Sequence, residues 1–276
     1  MILLLFSEDD PASINIYENL LNLTSFDFFG NFEGKRVLNN EKYFLIKIEK
    51  DKTYANFLDL KLKKSLKISF DTIIVASKHE SKQKVKSLTV HPVGNFNNAD
   101  LGGLPKTLVG AEPSLMSQAL RIMKENKVEG YQISLEVTHH GPALQDDTFF
   151  IEIGASEKEW NDKDAGFAIA KTIISLEKNE QPTFISFGGG HYAPQVTDLV
   201  LKNKLNVGHM ASKYTIEFLD RDLVDQMIEK SHNPSYAYFV KSLNIEEKKK
   251  LQMLLKNKNI KILDQDTKDW NQALDL

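Results

Sequence analysis

Short apolar runs alternate with amphipathic segments along most of this 276-residue chain, and this alternation limits the fold more than any other feature. The run at residues 2–6 predicts a buried strand, and Asp10 followed by Pro11 predicts the start of a helix. Similar patterns predict further strands at 43–48, 72–76, 131–138, 149–153, 183–187 and 236–240. They predict further helices at 115–126, 163–176, 195–202, 223–230 and 245–255. Elements at this spacing are typical of an α/β layered fold, with a mixed sheet flanked by helices.

The chain is long enough for one elaborate domain or two small ones. No linker, internal repeat or low-complexity tract divides it, so we expect a single α/β domain over residues 1–276. We expect a loop insertion near 91–113, because residues 95–105 are polar and lie beside or include Gly94, Gly102 and Gly103. Long loops inside compact domains are often lids or binding loops.

The chain contains no cysteine, which excludes disulfides, thiolate nucleophiles and thiolate zinc sites. A metal ion would therefore have to be held by His, Asp or Glu side chains. Nitrogen and oxygen ligands with one open coordination position are typical of catalytic zinc.

The balance of 41% hydrophobic and 26% charged residues is that of an ordinary globular protein. The N-terminal segment has no basic region, and it carries acidic residues where a signal peptide would be cleaved. No run approaches the roughly 20 apolar residues that a membrane span needs. We therefore expect a cytoplasmic protein that does not cross a membrane.

The formal net charge of −3 and the pI of about 6.2 do not indicate a broad nucleic-acid binder. Lysine clusters at 61–67, 78–86 and 248–250 are interpreted as solvated surface. The first two clusters would instead form a phosphate-binding stripe if they share a face. In that case we expect Lys82, Lys84 and Lys86 to contact nucleic acid.

The segment SLEVTHHGP, at residues 134–142, carries the first group of chemically active side chains. Strand alternation predicts that Glu136 and His140 share the polar face, while His139 continues the apolar face. Ligands often bind at strand ends in α/β sheets, and adjacent histidines there can supply a metal ligand and a general base. The alternative is two unrelated histidines, one of which caps the turn. The convergence of three titratable groups favours a functional site.

The segment FGGGHYAP, at residues 187–194, places three glycines and His191 after an apolar strand. Three glycines allow unusual backbone angles, so the amide groups of Gly188, Gly189 and Gly190 can converge on an anion or an oxyanion. The spacing also matches a dinucleotide fingerprint. We reject that interpretation, because the match lies late in the chain, Pro194 alters the helix entry and no acidic strand end follows.

Four more histidines are weaker candidates. His91 and His209 follow short apolar runs, so each is a candidate site residue. His79 and His232 lie in polar surroundings and are predicted to be surface residues.

Four segments together resemble the archaeal and plant type of D-aminoacyl-tRNA deacylase. They are HPVGNF at 91–96, SLEVTHHGP at 134–142, FGGGHYAP at 187–194 and GH at 208–209. The resemblance implies hydrolysis of the ester between a D-amino acid and the terminal ribose of tRNA, with zinc (Zn2+) as cofactor. It also implies a phosphorylase/hydrolase-like α/β core similar to that of peptidyl-tRNA hydrolases. The expected partner is the acceptor end of D-aminoacyl-tRNA, bound by a monomer.

Residue chemistry supplies the expected roles within that reaction. The metal ligands are expected among His91, His139, His140, His191, His209 and Glu136. The catalytic groups are expected to be Glu136, His140 and His191, with the amides of Gly188, Gly189 and Gly190 stabilising the oxyanion. Two alternatives stay open: a zinc-dependent peptidase or amidohydrolase of similar fold, and a tRNA-binding protein without catalytic activity.

Overall fold

A computed structural model of the protein describes residues 1–49, 51–81 and 84–264. In chain order the strands are β1 (Ile2–Ser7), β2 (Asp27–Phe32), β3 (Lys35–Asn39), β4 (Tyr43–Ile48), β5 (Thr72–Glu80), β6 (Ser87–Pro92), β7 (Gly94–Asn95), β8 (Thr107–Leu108), β9 (Gln132–Leu135), β10 (Asp147–Ala155), β11 (Thr183–Phe187), β12 (Asn206–Ala211), β13 (Tyr236–Phe239) and β14 (Lys261–Asp264). The α-helices are α1 (Pro11–Leu23), α2 (Leu58–Leu66), α3 (Pro113–Glu125), α4 (Glu157–Trp160), α5 (Lys163–Ile174), α6 (Pro194–Lys202), α7 (Arg221–Glu229) and α8 (Ile245–Leu255). No helix in these ranges has both the length and the apolar character that crossing a membrane requires.

The larger sheet has eight strands in the order β2-β3-β4-β1-β5-β10-β6-β9. Its centre is parallel, because β1 pairs in parallel with β4 and β5, and β5 with β10. The sheet becomes mixed where β6 runs antiparallel to β10. Leu4 and Phe6 pack with α1 and α5 on one face, whereas Leu3 and Leu5 pack with α2 on the other. The predicted α/β layered fold with a mixed sheet flanked by helices is confirmed.

The smaller sheet is parallel and has the order β12-β11-β13-β14. Helix α3 contacts β6 and β9 of the larger sheet as well as β12 of the smaller one. One apolar cluster contains residues of both sheets, among them Ile151, Phe184 and Val207. The amide of Thr138 also donates to the Met210 carbonyl, which joins the end of β9 to β12. The two sheets therefore share a core.

Several predicted elements match the structure closely. The strands at 43–48 and 183–187 and the helix at 245–255 have the predicted bounds. Asp10 caps α1 by accepting a hydrogen bond from the Ser13 amide, with Pro11 in the first turn. The hairpin β2–β3, helix α2 and strand β14 were not predicted.

Two strands differ from prediction in a way that shapes the site. The strand predicted at 131–138 ends at Leu135, because Glu136 pairs instead with Tyr192 in an isolated bridge. The strand predicted at 72–76 continues to Glu80, because β10 extends alongside it and His79 pairs with Gly154. Both changes bring polar residues to one end of the large sheet.

The polar loop at 95–105 packs against the segment that follows β9. The Asn95 side chain donates to the Gly102 and Leu104 carbonyls, and the Gly141 amide donates to the Leu101 carbonyl. A Cβ at Gly102 would overlap the carbonyl oxygen of Thr53. The loop is therefore held against the chain next to His140.

We expect Gly102→Ala to lower the free energy of unfolding by about 1–3 kcal/mol more than Gly34→Ala does. Both glycines have a positive φ, +76° and +79°, so an added methyl group strains the backbone alike at each. Only at Gly102 does it also meet backbone, whereas nothing lies within 4 Å at Gly34. Urea denaturation of the two variants measures the difference. Equal losses would contradict the tight packing of this loop.

Candidate active site

Seven titratable side chains converge where β5, β6, β9 and β10 meet the loop after β11. They are His79, His91, Glu136, His139, His140, Glu152 and His191. The predicted site residues Glu136, His91, His139, His140 and His191 are thus brought together. His79 and Glu152 are not among the site residues that the sequence predicted.

Strand register places three of these groups, His79, His91 and Glu152, on one face of the large sheet. His79 lies opposite Gly154 on β10, and His91 lies opposite Phe150, two residues before Glu152. Since side chains alternate between faces along a strand, these positions point to the same side. Gly154 leaves room for the imidazole, because a Cβ there would lie 2.9 Å from His79 Cδ2.

His91, His139 and His140 form a group in which each ring has its Nδ1 beside a backbone carbonyl oxygen. The Nδ1 atoms of these rings lie 3.1, 2.7 and 2.7 Å from the carbonyl oxygens of Pro92, Val137 and Gly141 respectively. A carbonyl only accepts, so each Nδ1 carries a hydrogen, and in the neutral ring each Nε2 keeps its lone pair. One ligand atom from each ring lies within 4.8 Å of the others. This second layer of hydrogen bonds is typical of metal-binding histidines.

Glu136 is fully buried and lies beside a second group of possible ligands. Its Oε2 is 2.9 Å from His191 Nε2, and its Oε1 is 3.2 Å from His79 Nδ1. Neither oxygen accepts an aligned hydrogen bond, although both are buried. The His79 Nε2 in turn lies 2.8 Å from the Tyr192 hydroxyl. The carboxylate is therefore close to polar partners without being satisfied by them.

Burial and neighbouring charges divide the histidines into two kinds. Burial, with the nearby His91 and His140 rings, lowers the pKa of His139 well below its usual value. Burial also lowers the pKa of His140 to about 4. Burial opposes protonation of His79 and His91 too, but the nearby Glu152 and Glu136 carboxylates raise the pKa of both rings. Burial raises the pKa of Glu152, yet both rings outweigh it and hold that pKa well below its usual range.

Comparison with known proteins places the chain in a family. The model of the D-aminoacyl-tRNA deacylase family matches residues 66–263. The chain belongs to this family. It is 39% identical to the Methanosarcina mazei protein named D-aminoacyl-tRNA deacylase, over 99% of this chain and 95% of that protein. It is 34% identical to the protein of that name from Thermoplasma acidophilum, over 84% and 86% of the two chains.

A solved structure of the same fold is known. It is described as a conserved protein of unknown function and superimposes with a TM-score of 0.90 and 31% sequence identity. The match covers 96% of this chain and 95% of that one. The resemblance to deacylases found in the sequence motifs is confirmed.

His209, a predicted metal ligand, is not brought to this deacylase-family site. It is completely buried, and both of its ring nitrogens are engaged elsewhere. Nε2 donates to the Val109 carbonyl, 2.9 Å away, so Nδ1 accepts from the Thr138 hydroxyl at 3.0 Å. The ring joins β12 to neighbouring segments and has no nitrogen left for a metal ion.

His79 and His232 were both predicted to be surface residues, and the prediction holds for only one of them. His232 is largely exposed and lies 2.7 Å from Asp147, as a surface residue can. The prediction that His79 is a surface residue was wrong, because its side chain is 8% exposed and lies between Glu136 and Glu152. A signal for Glu152 was present in the sequence, since it is the one charged residue in the apolar stretch at 149–155.

The predicted oxyanion nest at the three glycines is not supported. The Gly188 amide donates to the Ala211 carbonyl, and the Gly189 amide donates to the Ser242 hydroxyl. Two of the three amides are thus committed to holding the turn. Glycine is needed here because φ is +102° at Gly188 and +84° at Gly189. The turn carries His191 to the mouth of the site.

We expect the metal-free protein to lose stability on acidification, partly through His209. Burial lowers the pKa of this ring to about 3, whereas an unfolded histidine titrates near pH 6.5. Between these values the unfolded chain binds more protons, so stability falls as the pH falls. The loss from this ring approaches about 1.4 kcal/mol for each pH unit.

Urea denaturation between pH 6.5 and 5, with chelator present, measures this effect. His209→Gln removes one titrating group and should show a shallower decline than the unaltered protein. His139 and His140 titrate abnormally in both proteins, so the difference in slope isolates His209. Identical slopes would disprove the assignment.

Proposed function

We propose that this protein hydrolyses the ester bond of D-aminoacyl-tRNA and releases free tRNA and the D-amino acid. The observation that carries the proposal is a buried carboxylate, Glu136, among converging histidines in a chain of the deacylase family. Ester hydrolysis needs an activated water and a proton for the departing ribose oxygen. The site offers groups for both tasks. Cytoplasm is the proposed location, because translation supplies the substrate there.

Zinc is the proposed cofactor, held by His91, His139 and His140. Their nitrogen donors fit it, and His91 Nε2 is buried without a hydrogen-bond partner. Both oxygens of Glu136 share that property, as expected of atoms that face a cation or its water. When bound, zinc would lower the pKa of a water molecule and polarise the ester carbonyl.

Glu136 and His191 are the proposed proton-transfer pair. Glu136 accepts a proton from the attacking water, whose oxygen adds to the ester carbonyl. His191 Nε2 is 2.9 Å from this carboxylate, and its side chain is 45% exposed at the mouth. It can therefore pass a proton from the buried site to the ribose oxygen as the carbon–oxygen bond breaks.

His79 and Glu152 are positioning residues in this scheme. The His79 ring touches both carboxylates, at 3.2 Å from Glu136 and 3.5 Å from Glu152. The Tyr192 hydroxyl holds its other nitrogen. The imidazole thus lies between the two carboxylates, where its charge, when protonated, attracts the Glu136 oxygen that does not face His191.

The two alternative functions are less well supported. Family membership favours neither a peptidase nor a tRNA-binding protein without catalytic activity. A module that only binds RNA would also have no need for a buried, unsatisfied carboxylate, which costs stability. A catalytic role explains the buried Glu136 carboxylate better than RNA binding alone does.

We expect His139→Ala, His191→Ala and His79→Ala each to lower kcat/KM for D-tyrosyl-tRNA by at least about a hundredfold. His232→Ala, on the exposed surface, should leave it within about twofold, as surface changes usually do. Deacylation assays on both D- and L-tyrosyl-tRNA make the comparison. Equal losses for all four variants, or losses that follow a lowered Tm, would remove the proposed roles.

We expect the purified protein to contain stoichiometric zinc and to lose activity when chelator removes it. Elemental analysis should find that His139→Ala retains less zinc than His232→Ala. His139 belongs to the group of three converging histidines, whereas His232 does not. Added zinc should restore the stripped protein. A metal-free protein with full deacylase activity would instead leave acid/base catalysis by histidine and glutamate alone.

A further inference from the structure

We infer that the carboxyl edge of β12, β11 and β13 binds the single-stranded acceptor end of tRNA. This inference rests on the proposed function and adds the surface that the RNA occupies. We call residues 188–190, 213–214 and 241–242 the acceptor edge. It differs from the lysine cluster at 78–86 that sequence alone suggested, in which Lys82 lies outside the described residues.

The topology brings these three segments together beside the histidines. β11 lies between β12 and β13, and all three run parallel, so their carboxyl ends meet at one edge. The Lys213 amide donates to the Gly189 carbonyl from one side, and the Gly189 amide donates to the Ser242 hydroxyl on the other. Ligands commonly bind at such an edge. Gly189 lies two residues before His191.

Two lysines at this edge have charges available for a polyanion. Lys213 and Lys241 are exposed, and within the described ranges neither forms an ion pair with a carboxylate. Many other lysines are paired, such as Lys63 with Asp146 and Lys178 with Glu112. Lys213 and Lys241 lie on opposite sides of the glycine turn. Two cations on either side of a turn without side chains can each contact a phosphate of a nucleic-acid strand.

An exposed aromatic ring completes the acceptor edge. The Tyr214 side chain is 64% exposed, and the Lys213 ammonium lies 4.9 Å from its ring centroid. The turn that presents it is fixed, because the amide and hydroxyl of Thr215 both donate to the Ser212 carbonyl. A rigid, exposed ring beside a cation is the arrangement on which single-stranded bases stack.

The small size of the acceptor edge fits the single-stranded end of an RNA better than a duplex. One ring and two lysines suit about one or two nucleotides, whereas a duplex-binding surface contacts many phosphates. The net charge of −3 agrees with such a limited contact. The neighbouring Lys213 is hydrogen-bonded to Gly189, two residues before His191, so a strand end bound at this edge adjoins the group proposed to protonate the ribose oxygen.

The experiment measures binding of uncharged tRNA by fluorescence anisotropy over a range of salt concentrations. Tyr214→Ala should weaken binding by roughly tenfold or more, and Tyr214→Phe should preserve it, because the ring stacks in both native and Phe forms. Lys213→Ala/Lys241→Ala should make the slope of log K against log salt shallower by about 1.4, or about 0.7 for each lost phosphate contact. Lys158→Ala/Lys171→Ala is the control of equal charge, on exposed lysines elsewhere.

The outcomes separate this inference from the proposed function. Weaker binding by Tyr214→Ala but not by Tyr214→Phe, together with a shallower salt slope for Lys213→Ala/Lys241→Ala and an unchanged control, supports the acceptor edge even if the protein fails to hydrolyse D-aminoacyl-tRNA. The acceptor edge is overturned if the unaltered protein does not bind tRNA, or if both lysine double variants behave alike. It is overturned equally if Lys84→Ala/Lys86→Ala weakens binding while the acceptor-edge variants do not.

Discussion

The burial of two carboxylates, Glu136 and Glu152, is the constraint on which the rest of this centre depends. Glu136 is 0% and Glu152 is 3% exposed. An isolated buried charge costs several kcal/mol, so a fold keeps one only beside compensating cations. In the metal-free protein His79 and His91 supply that compensation by becoming easier to protonate, while His139 and His140 are kept neutral. The two buried carboxylates thus keep cationic partners beside them, and burial keeps two of the three proposed metal ligands neutral.

Sequence patterns predicted the interior elements of the fold better than its edges. The strands at 43–48 and 183–187 are apolar runs whose burial follows from local composition, so their bounds could be found. The edge strand β2 contains Phe28 and Phe29, both exposed, and has no apolar alternation to reveal it. Strand β5 continues past Ala76 only because β10 lies beside it. That pairing depends on residues about 75 positions apart, which no local pattern records.

The site was predictable where a residue stands in a recognisable segment, as His91 and His191 do as well as the residues at 134–142. Glu136, His139 and His140 occur within one segment, so their convergence could be inferred. His79 is surrounded by polar residues, and its burial depends on Gly154 making room across the sheet. The oxyanion nest failed for a related reason. The glycines were correctly identified as a turn with unusual backbone angles, but the strands on either side take up two of the amides.

The site lies at the boundary between the two sheets. Its two parts, the three-histidine group and His191, depend on this boundary in different ways. The proposed ligands His91, His139 and His140 belong to the large sheet and to the segment that leaves it. His191 lies in the loop after β11 of the small sheet and is held by the Val137 amide, which donates to its carbonyl, while the Ala193 amide donates to the Leu135 carbonyl.

A small displacement at this boundary would therefore lengthen the 2.9 Å separation of His191 and Glu136 while leaving the three-histidine group intact. Proton transfer depends steeply on such distances, whereas metal affinity depends on the ligands within one part. The shared core between the sheets, with α3 contacting both, thus stabilises the fold and also fixes the distance between His191 and Glu136 that the proposed proton transfer requires.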